Sequence, residues 1–397
     1  MVLLVDRALV RGDGPEVVGA AIAVRGGVIT AIGGARDVLA DHRGGTVLDH
    51  RGHTALPGFV DAHVHLVFDG GPDPVGAVRA ADPRALAAAS AARAETLVRH
   101  GVTTARDLGD RDGIVRGVRD GINAGRLLGP RLLTAGSPIT PTGGHCWFLG
   151  GVADGVEQVR AAVLARVAEG ADLVKVMATG GTLTPGGPPN WASQYGVAEL
   201  RAAVDVAHAH GLPVAAHAHG LAGVADAIAA GVDTIEHCTL PAGPDTDASP
   251  ARADAVLRAA AKAGIGVCPT LHGGLADLPE LLAAPGFHAL VARIGRMRRW
   301  GVPLLAGTDA GVPGAAFDRF AGSLRWFTEA GLTAPEVLRL ATSDTAAAVG
   351  VGDRTGALAV GLDADIVVVA DDPRANLSTL DEPILVLSRG RVVTGQA

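Results

Sequence analysis

Lysine is almost missing from this chain of 397 residues. Of its 34 basic side chains only Lys175 and Lys262 are lysines; the other cations are all arginine. Aromatic residues are scarce at 3%, and tyrosine occurs once, as Tyr195. The three cysteines, Cys146, Cys238 and Cys268, are too few and too scattered for a disulfide framework or a paired Cys-x-x-Cys site. That usage leads us to expect a reduced, cytoplasmic setting. Charged residues make up 19%, the net charge is −7, and the only short basic run is Arg296–Trp300. Nucleic acid has no electrostatic footprint here, so no such partner is expected. Apolar stretches such as Ala85–Ala92 are interrupted by Arg, Glu or His well before ~18 residues, so no membrane span is expected. The first residues also lack the basic-then-apolar pattern of a secretory leader.

What is present is apolar: 48% of the residues are hydrophobic, enough for a large domain of ~250–300 residues plus a smaller one. The 56 glycines and 23 prolines are dispersed, not periodic, which excludes a collagen-like chain. Short β-rich runs open the chain at Val2–Val10, Ala20–Val24 and Val28–Ala31, with Gly26-Gly27 as a turn. Similar runs close it at Gly356–Val360, Ile366–Val369, Ile384–Leu387 and Arg391–Val393, around a loop at Asp371–Leu380.

Between them, apolar strands alternate with Ala/Arg/Glu-rich helices. The strands are Gly58–Leu66, Thr103–Leu108, Arg131–Ala135, Leu173–Ala178, Val214–Ala218, Thr234–His237, Gly266–Thr270 and Leu304–Thr308. Pro83–His100, Gly155–Glu169, Val197–His210, Ala222–Ala230 and Ala251–Ala263 read as helices. Eight strands in this alternation predict an α/β fold, a (β/α)₈ TIM barrel, over residues 57–355. The two ends, 1–56 with 356–397, are expected to pair into one small β-sandwich domain. A doubly wound open sheet is the alternative, but no Gly-x-Gly-x-x-Gly turn follows the first strand.

In such a barrel the chemistry sits at the carboxyl ends of the strands. The first strand ends in Asp61-Ala62-His63-Val64-His65, and histidines two apart on a strand share a face, where they can ligate one ion. The fourth carries Lys175 between valines. Burial lowers an amine's pKa and frees the neutral form, which can react with carbon dioxide to give an anionic, two-oxygen carbamate. Arginine cannot do this, because its guanidinium stays protonated. The fifth strand ends in His217-Ala218-His219, the sixth in Glu236-His237-Cys238 and the eighth in Gly307-Thr308-Asp309-Ala310-Gly311. The glycines around Asp309 are read as leaving room for substrate or water, and its carboxylate as a ligand and proton acceptor. Each of these residues taken singly also suits a packed histidine, a paired lysine or a helix cap. Five strand ends carrying metal-type residues point together to a metal site.

This set resembles the metal-dependent amidohydrolase superfamily over nearly the whole length. The junction segments Ala55–Asp61 and Gly361–Val367 are similar to that superfamily's passages between barrel and flanking β-sandwich. Thr142-Gly143-Gly144-His145 and Val174–Gly181 resemble the branch of imidazolonepropionase-related and Xaa-Pro or Xaa-Arg dipeptidase-like enzymes. The resemblance implies two divalent ions, zinc first among them, held by His63, His65, Lys175 as N6-carboxylysine, His217, His237 and Asp309. It implies hydrolysis of an amide C–N bond in a dipeptide, N-acyl amino acid or cyclic amide by a metal-bridging hydroxide, with Asp309 as proton shuttle and His145 beside the carbonyl. A phosphotriester, lactone or carbamate substrate, or a non-catalytic metal-binding homologue, are the competing readings. Relatives often carry a tyrosine where this chain has His219, which is expected to line the pocket for substrate. Trp147 and Tyr195, with Phe148 and Trp191, are further candidates for pocket walls, and the same residues suit packing of long loops. Cys146 and Cys238 are expected to be buried and inert. Enzymes of this branch are often homo-oligomers acting on small molecules, and that is the expected assembly.

Overall fold

The computed structural model describes residues 1–12, 14–244 and 249–395. The chain opens with β1 (Val2–Leu9), β2 (Glu16–Arg25), β3 (Val28–Gly34) and β4 (Val47–Pro57). Seven short strands follow: β5 (Phe59–Val64), β6 (Val102–Asp107), β7 (Arg131–Thr134), β8 (Val174–Met177), β9 (Val214–Ala218), β10 (Thr234–His237) and β11 (Gly266–Cys268). It closes with β12 (Ile366–Val369), β13 (Leu385–Ser388) and β14 (Arg391–Thr394).

Both ends of the chain contribute to one seven-stranded sheet, in the order β14-β13-β12-β4-β1-β2-β3. β1 is parallel to β4 and antiparallel to β2, and β12 runs antiparallel to β4 with Ile366 opposite Pro57. One face buries Leu3, Val5, Ile22, Ile29, Ile366 and Leu387. Alternation along β1 turns Val2 and Leu4 to the other face, where Val38 of the helix Ala35–Asp41 covers them. The run Gly356–Val360, expected as a strand, is a turn instead. Gly356 and Gly361 hold φ of +90° and +95°, left-handed backbone that interrupts an extended run, while the Leu358 N–H reaches the Val10 carbonyl at 3.0 Å.

The other strands are parallel, β5-β6-β7 in one sheet and β11-β10-β9-β8 in another. They are buried on both sides, which is why β5, β8 and β9 are mostly apolar, while Arg106 on β6 and Thr234 and Glu236 on β10 are buried with hydrogen bonds to one another. Helices Pro83–Arg99, Gly155–Ala168, Val197–Ala209, Leu221–Ala230 and Pro250–Ala263 intervene. Two further segments hydrogen-bond between the sheets. The Ile139 N–H reaches the Lys175 carbonyl at 2.8 Å, and the Met177 N–H reaches the Ile139 carbonyl at 2.9 Å. On the other side Leu305 N–H meets the Val267 carbonyl at 2.9 Å, and Ala62 N–H meets the Ala306 carbonyl at 2.9 Å. The expected eighth strand, Leu304–Thr308, therefore makes bridging bonds but no regular ladder. Its extended course breaks at Asp309, whose φ is +59°. Arg131 ties the parallel strands to the end sheet through Thr104, Asp363 and Asp365 at 2.6–3.0 Å. No helix among the described residues is long and apolar enough to cross a membrane.

Candidate metal centre

The carboxyl ends of the parallel strands surround a cleft of about 450 Å³. Its floor carries His63, His65, Lys175, His217, His237 and Asp309, and its wall carries His145, Cys146 and His219. Seven of the residues expected from sequence at strand ends thus meet in one place, with His145 beside them. A larger groove of about 930 Å³, between Arg319, Arg325 and Asp381, contains none of them.

Hydrogen bonds at the far side of each imidazole decide which nitrogen faces the cleft. His65 Nδ1 lies 3.2 Å from the Gly109 carbonyl, which can only accept, so the proton sits on Nδ1 and Nε2 is bare. His63 Nδ1 lies 2.9 Å from the Glu236 carboxylate, with the same consequence. The two bare Nε2 atoms are 3.2 Å apart, and Asp309 Oδ1 is 3.3 and 3.4 Å from them. Three acceptors facing one another repel unless a cation lies among them. A tetrahedral ion with ligands at ~2.0–2.1 Å sets its donor atoms about 3.3 Å apart, so this trio fits one. The same pull acts on the proton: burial works against a charged His63, but chiefly Asp309 outweighs it and raises its pKa. Burial likewise opposes ionisation of Asp309, and His63, His65 and Lys175 hold its carboxyl below the usual range.

His217 and His237 form a second group with His219. His217 Nε2 donates to the Gly180 carbonyl at 3.1 Å, leaving Nδ1 bare. The Thr270 hydroxyl gives its proton to the Pro269 carbonyl and so accepts from His237 Nδ1 at 2.8 Å, leaving Nε2 bare. Burial, then neighbouring histidines, hold both far below an ordinary imidazole pKa. His237 and Asp309 both have positive φ, +70° and +59°, as do Cys238, Leu240 and Thr270. Left-handed backbone at non-glycine residues costs ~1–3 kcal/mol each and clusters where side chains are aimed for function.

Lys175 lies among these groups, 1% exposed, and its Nζ has no hydrogen-bond partner. Burial lowers its pKa toward the neutral amine, against the pull of Glu236 and Asp309. His145 is fixed on the loop after β7: its N–H donates to Gln194 Oε1 at 2.6 Å, and its Nδ1 lies 3.0 Å from Thr184 Oγ1. The Thr184 hydroxyl also accepts the Cys146 N–H, and with its own proton given to His145 Nδ1 the imidazole carries its proton on Nε2, toward the cleft. Burial takes His145 to about 3, so it is a neutral donor. His219 is held at Nδ1 by Thr239 at 2.8 Å and lowered by burial to about 4.

Trp147 and Tyr195 are not brought into the cleft. Trp147 is 42% exposed on a turn and stacks under Arg79. Tyr195 packs in the core around β8 and β9 and donates its hydroxyl to the Ala153 carbonyl at 2.6 Å. Trp191 is likewise exposed at 39%, and Phe148 packs against Phe68. Burial pushes the thiols of Cys146 and Cys238 up to about 12, so both stay protonated. The glycines around Asp309 make room for protein rather than substrate. A Cβ at Gly307 would meet Cys268 Sγ at 2.4 Å, and one at Gly311 the His65 carbonyl at 2.4 Å.

Sequence reasoning passed over the groups behind the ligands. Glu236 is fully buried and takes hydrogen bonds from His63, Arg106 and Thr234. Burial would raise its pKa, but Arg106 and His63 bring it down to about 2. A glutamate directly before the candidate ligand His237, on a strand expected to be buried, was the available signal.

An α/β fold with histidine, aspartate and lysine gathered at the carboxyl ends of parallel strands defines a class of hydrolase scaffold. Residues 54–393 match the amidohydrolase family, and the chain belongs to it. Ochratoxinase from Aspergillus niger is 29% identical over 409 aligned positions, covering 94% of this chain and 82% of that protein. A Xaa-Pro dipeptidase solved with methionine in its active site superposes with a TM-score of 0.84 at 26% identity, over 99% of both chains. A prolidase complexed with N-methylphosphonate-L-proline gives 0.85 at 27% identity, over 100% of both.

Proposed function

We propose that this chain is a binuclear metal-dependent amidohydrolase that cleaves an amide C–N bond in a dipeptide, N-acyl amino acid or cyclic amide. One observation carries the reading: His63 Nε2, His65 Nε2 and Asp309 Oδ1 converge at 3.2–3.4 Å with their protons directed elsewhere. The similarity to prolidases and to ochratoxinase supports the amide as the bond attacked. We read the circuit of parallel strands and bridging segments as a closed (β/α)₈ barrel spanning 57–355. We read 1–56 with 356–397 as one β-sandwich domain.

His63, His65 and Asp309 on one side, and His217 and His237 on the other, would hold two divalent ions, with carboxylated Lys175 shared. The nitrogen and oxygen donors suit zinc. Ions held there supply Lewis acidity and acidify water. Lys175 gains its carboxylate when the neutral amine adds to carbon dioxide: a C–N bond forms and one proton leaves. Asp309 is the proton carrier. With Oδ1 turned to the ion, its other oxygen, Oδ2, takes the proton of the attacking water and delivers it to the departing nitrogen. His145 donates from Nε2 to the carbonyl oxygen as negative charge grows there. His219, on the cleft wall, contacts substrate. The rim is apolar, from Pro72, Pro74, Val75, Leu183, Pro185 and Val312, and Asp73 is its charged member.

The test is turnover of a dipeptide and N-acyl amino acid library, with a phosphotriester and a lactone alongside, by zinc-loaded protein of measured metal content. Two ions per chain and amide cleavage abolished by chelation are expected. Two ions with phosphotriester or lactone turnover alone would move the substrate class; no bound ion would sink the proposal.

A further inference from the structure

A buried strut runs across the barrel interior beneath the centre. Arg106 on β6 donates from Nε to the Ala62 carbonyl on β5 at 2.7 Å. Its Nη1 reaches Thr234 Oγ1 at 3.0 Å and its Nη2 reaches Glu236 Oε1 at 2.8 Å, both on β10. The Thr234 hydroxyl donates to the same Glu236 oxygen at 2.7 Å, and Glu236 Oε2 takes the proton of His63 Nδ1 at 2.9 Å. All four side chains are at most 4% exposed. β5 and β6 belong to one sheet and β10 to the other, with no ladder between β6 and β10. The strut thus joins one half of the centre, through His63, to the other, through His237 next in sequence to Glu236.

A buried ion pair of this kind gives little net stability over an apolar pair of equal volume. Its position explains more. We infer that Glu236 is a positioning residue that keeps the His63 proton on Nδ1, so that the half-site of His63, His65 and Asp309 can take a cation. The inference rests on the two-ion reading above. The other half-site does not depend on Glu236 for its tautomers, since the Gly180 carbonyl and Thr270 set those of His217 and His237.

Glu236→Gln separates these roles. A glutamine there keeps its oxygen toward Arg106 and turns its amide N–H toward His63 Nδ1. That nitrogen must then accept, and the proton moves to Nε2, facing His65 and Asp309. Zinc uptake by full-length protein, measured against a chromophoric chelator, should fall from two tight ions to one, with the lost ion weakened at least ~10-fold. Equal weakening of both ions marks a merely structural role and overturns the inference, as does wild-type affinity for both. Where the variant does not fold, ¹⁵N NMR of the metal-free wild-type chain decides. Nδ1–H at His63 supports the inference and Nε2–H overturns it. Wild-type protein that takes up fewer than two zinc ions sinks the two-ion reading itself, and the inference with it.

Discussion

Replacing Lys175 with methionine should stabilise the metal-free protein while destroying its activity. The side chain is among the largest that are fully buried, and its Nζ has no hydrogen-bond partner. Burial favours the neutral amine, and a neutral polar group buried without a partner costs ~1–3 kcal/mol. Lys175→Met keeps the volume and removes that cost, so metal-free stability should rise by ~1–3 kcal/mol, worth on the order of 1–4 °C in Tm for a chain of this length. The opposite reading makes Lys175 a charged partner of Asp309 and Glu236. Methionine would then strand buried carboxylates and destabilise by ~3–5 kcal/mol. The sign of the change therefore decides between them. Reversible urea unfolding in the presence of a chelator measures it, alongside zinc content and amide turnover of the loaded protein. A less stable Lys175→Met, or one that keeps two ions and full turnover, refutes the reasoning. Lys175→Arg should also lose most turnover, with partial recovery from an added short carboxylate.

Other expectations follow from single contacts. Asp309→Asn should keep metal better than activity, with kcat down ~10²–10⁴-fold, and an unchanged kcat removes Asp309 as proton carrier. His145→Ala should lower kcat by ~10²–10³-fold, with metal content measured in parallel and unchanged. Gly181→Ala would place a Cβ 2.4 Å from His145 Cε1. It should cost up to ~10²-fold in kcat with little change in Tm, through displacement of that ring. At the entrance to β5, a Cβ on Gly58 would lie 2.1 Å from Thr103 Oγ1. Gly58→Ala should cost ~1–3 kcal/mol in urea unfolding.

The central strands were legible because a strand buried on both faces is mostly apolar, as at Val174–Met177 and Val214–Ala218, each interrupted by a single polar residue, Lys175 and His217. Their polar terminal residues then stood out. The turn at Gly356–Val360 was misread because its apolar residues do pack, Leu358 under the end sheet, without extended backbone. Arg106 and Glu236 lie 130 positions apart and are paired only by tertiary folding, so spacing could not reveal them. His219 was expected in the pocket and lies on its wall, but its closeness to both His217 and His237 depends on how β9 lies against β10. Scarcity of aromatics made Trp147 and Tyr195 candidates for pocket walls, with packing of the long loops as the other reading. Tyr195 instead spends its hydroxyl on a loop carbonyl, and Trp147 lies on the surface.

The seven-stranded sheet has a consequence for synthesis. β4 gains one neighbour, β1, early, but its other neighbour, β12, is encoded some three hundred residues later. At ~5–20 residues per second the ribosome needs about 15–60 s to deliver it. Throughout that interval the nascent chain presents the open hydrogen-bonding edge of β4, whose last residues feed directly into β5. An open edge is a template for pairing with another chain. Early termination before Ile366 would make that exposure permanent. Stalled or truncated products should therefore aggregate through β4 even when every residue of the cleft has already been made.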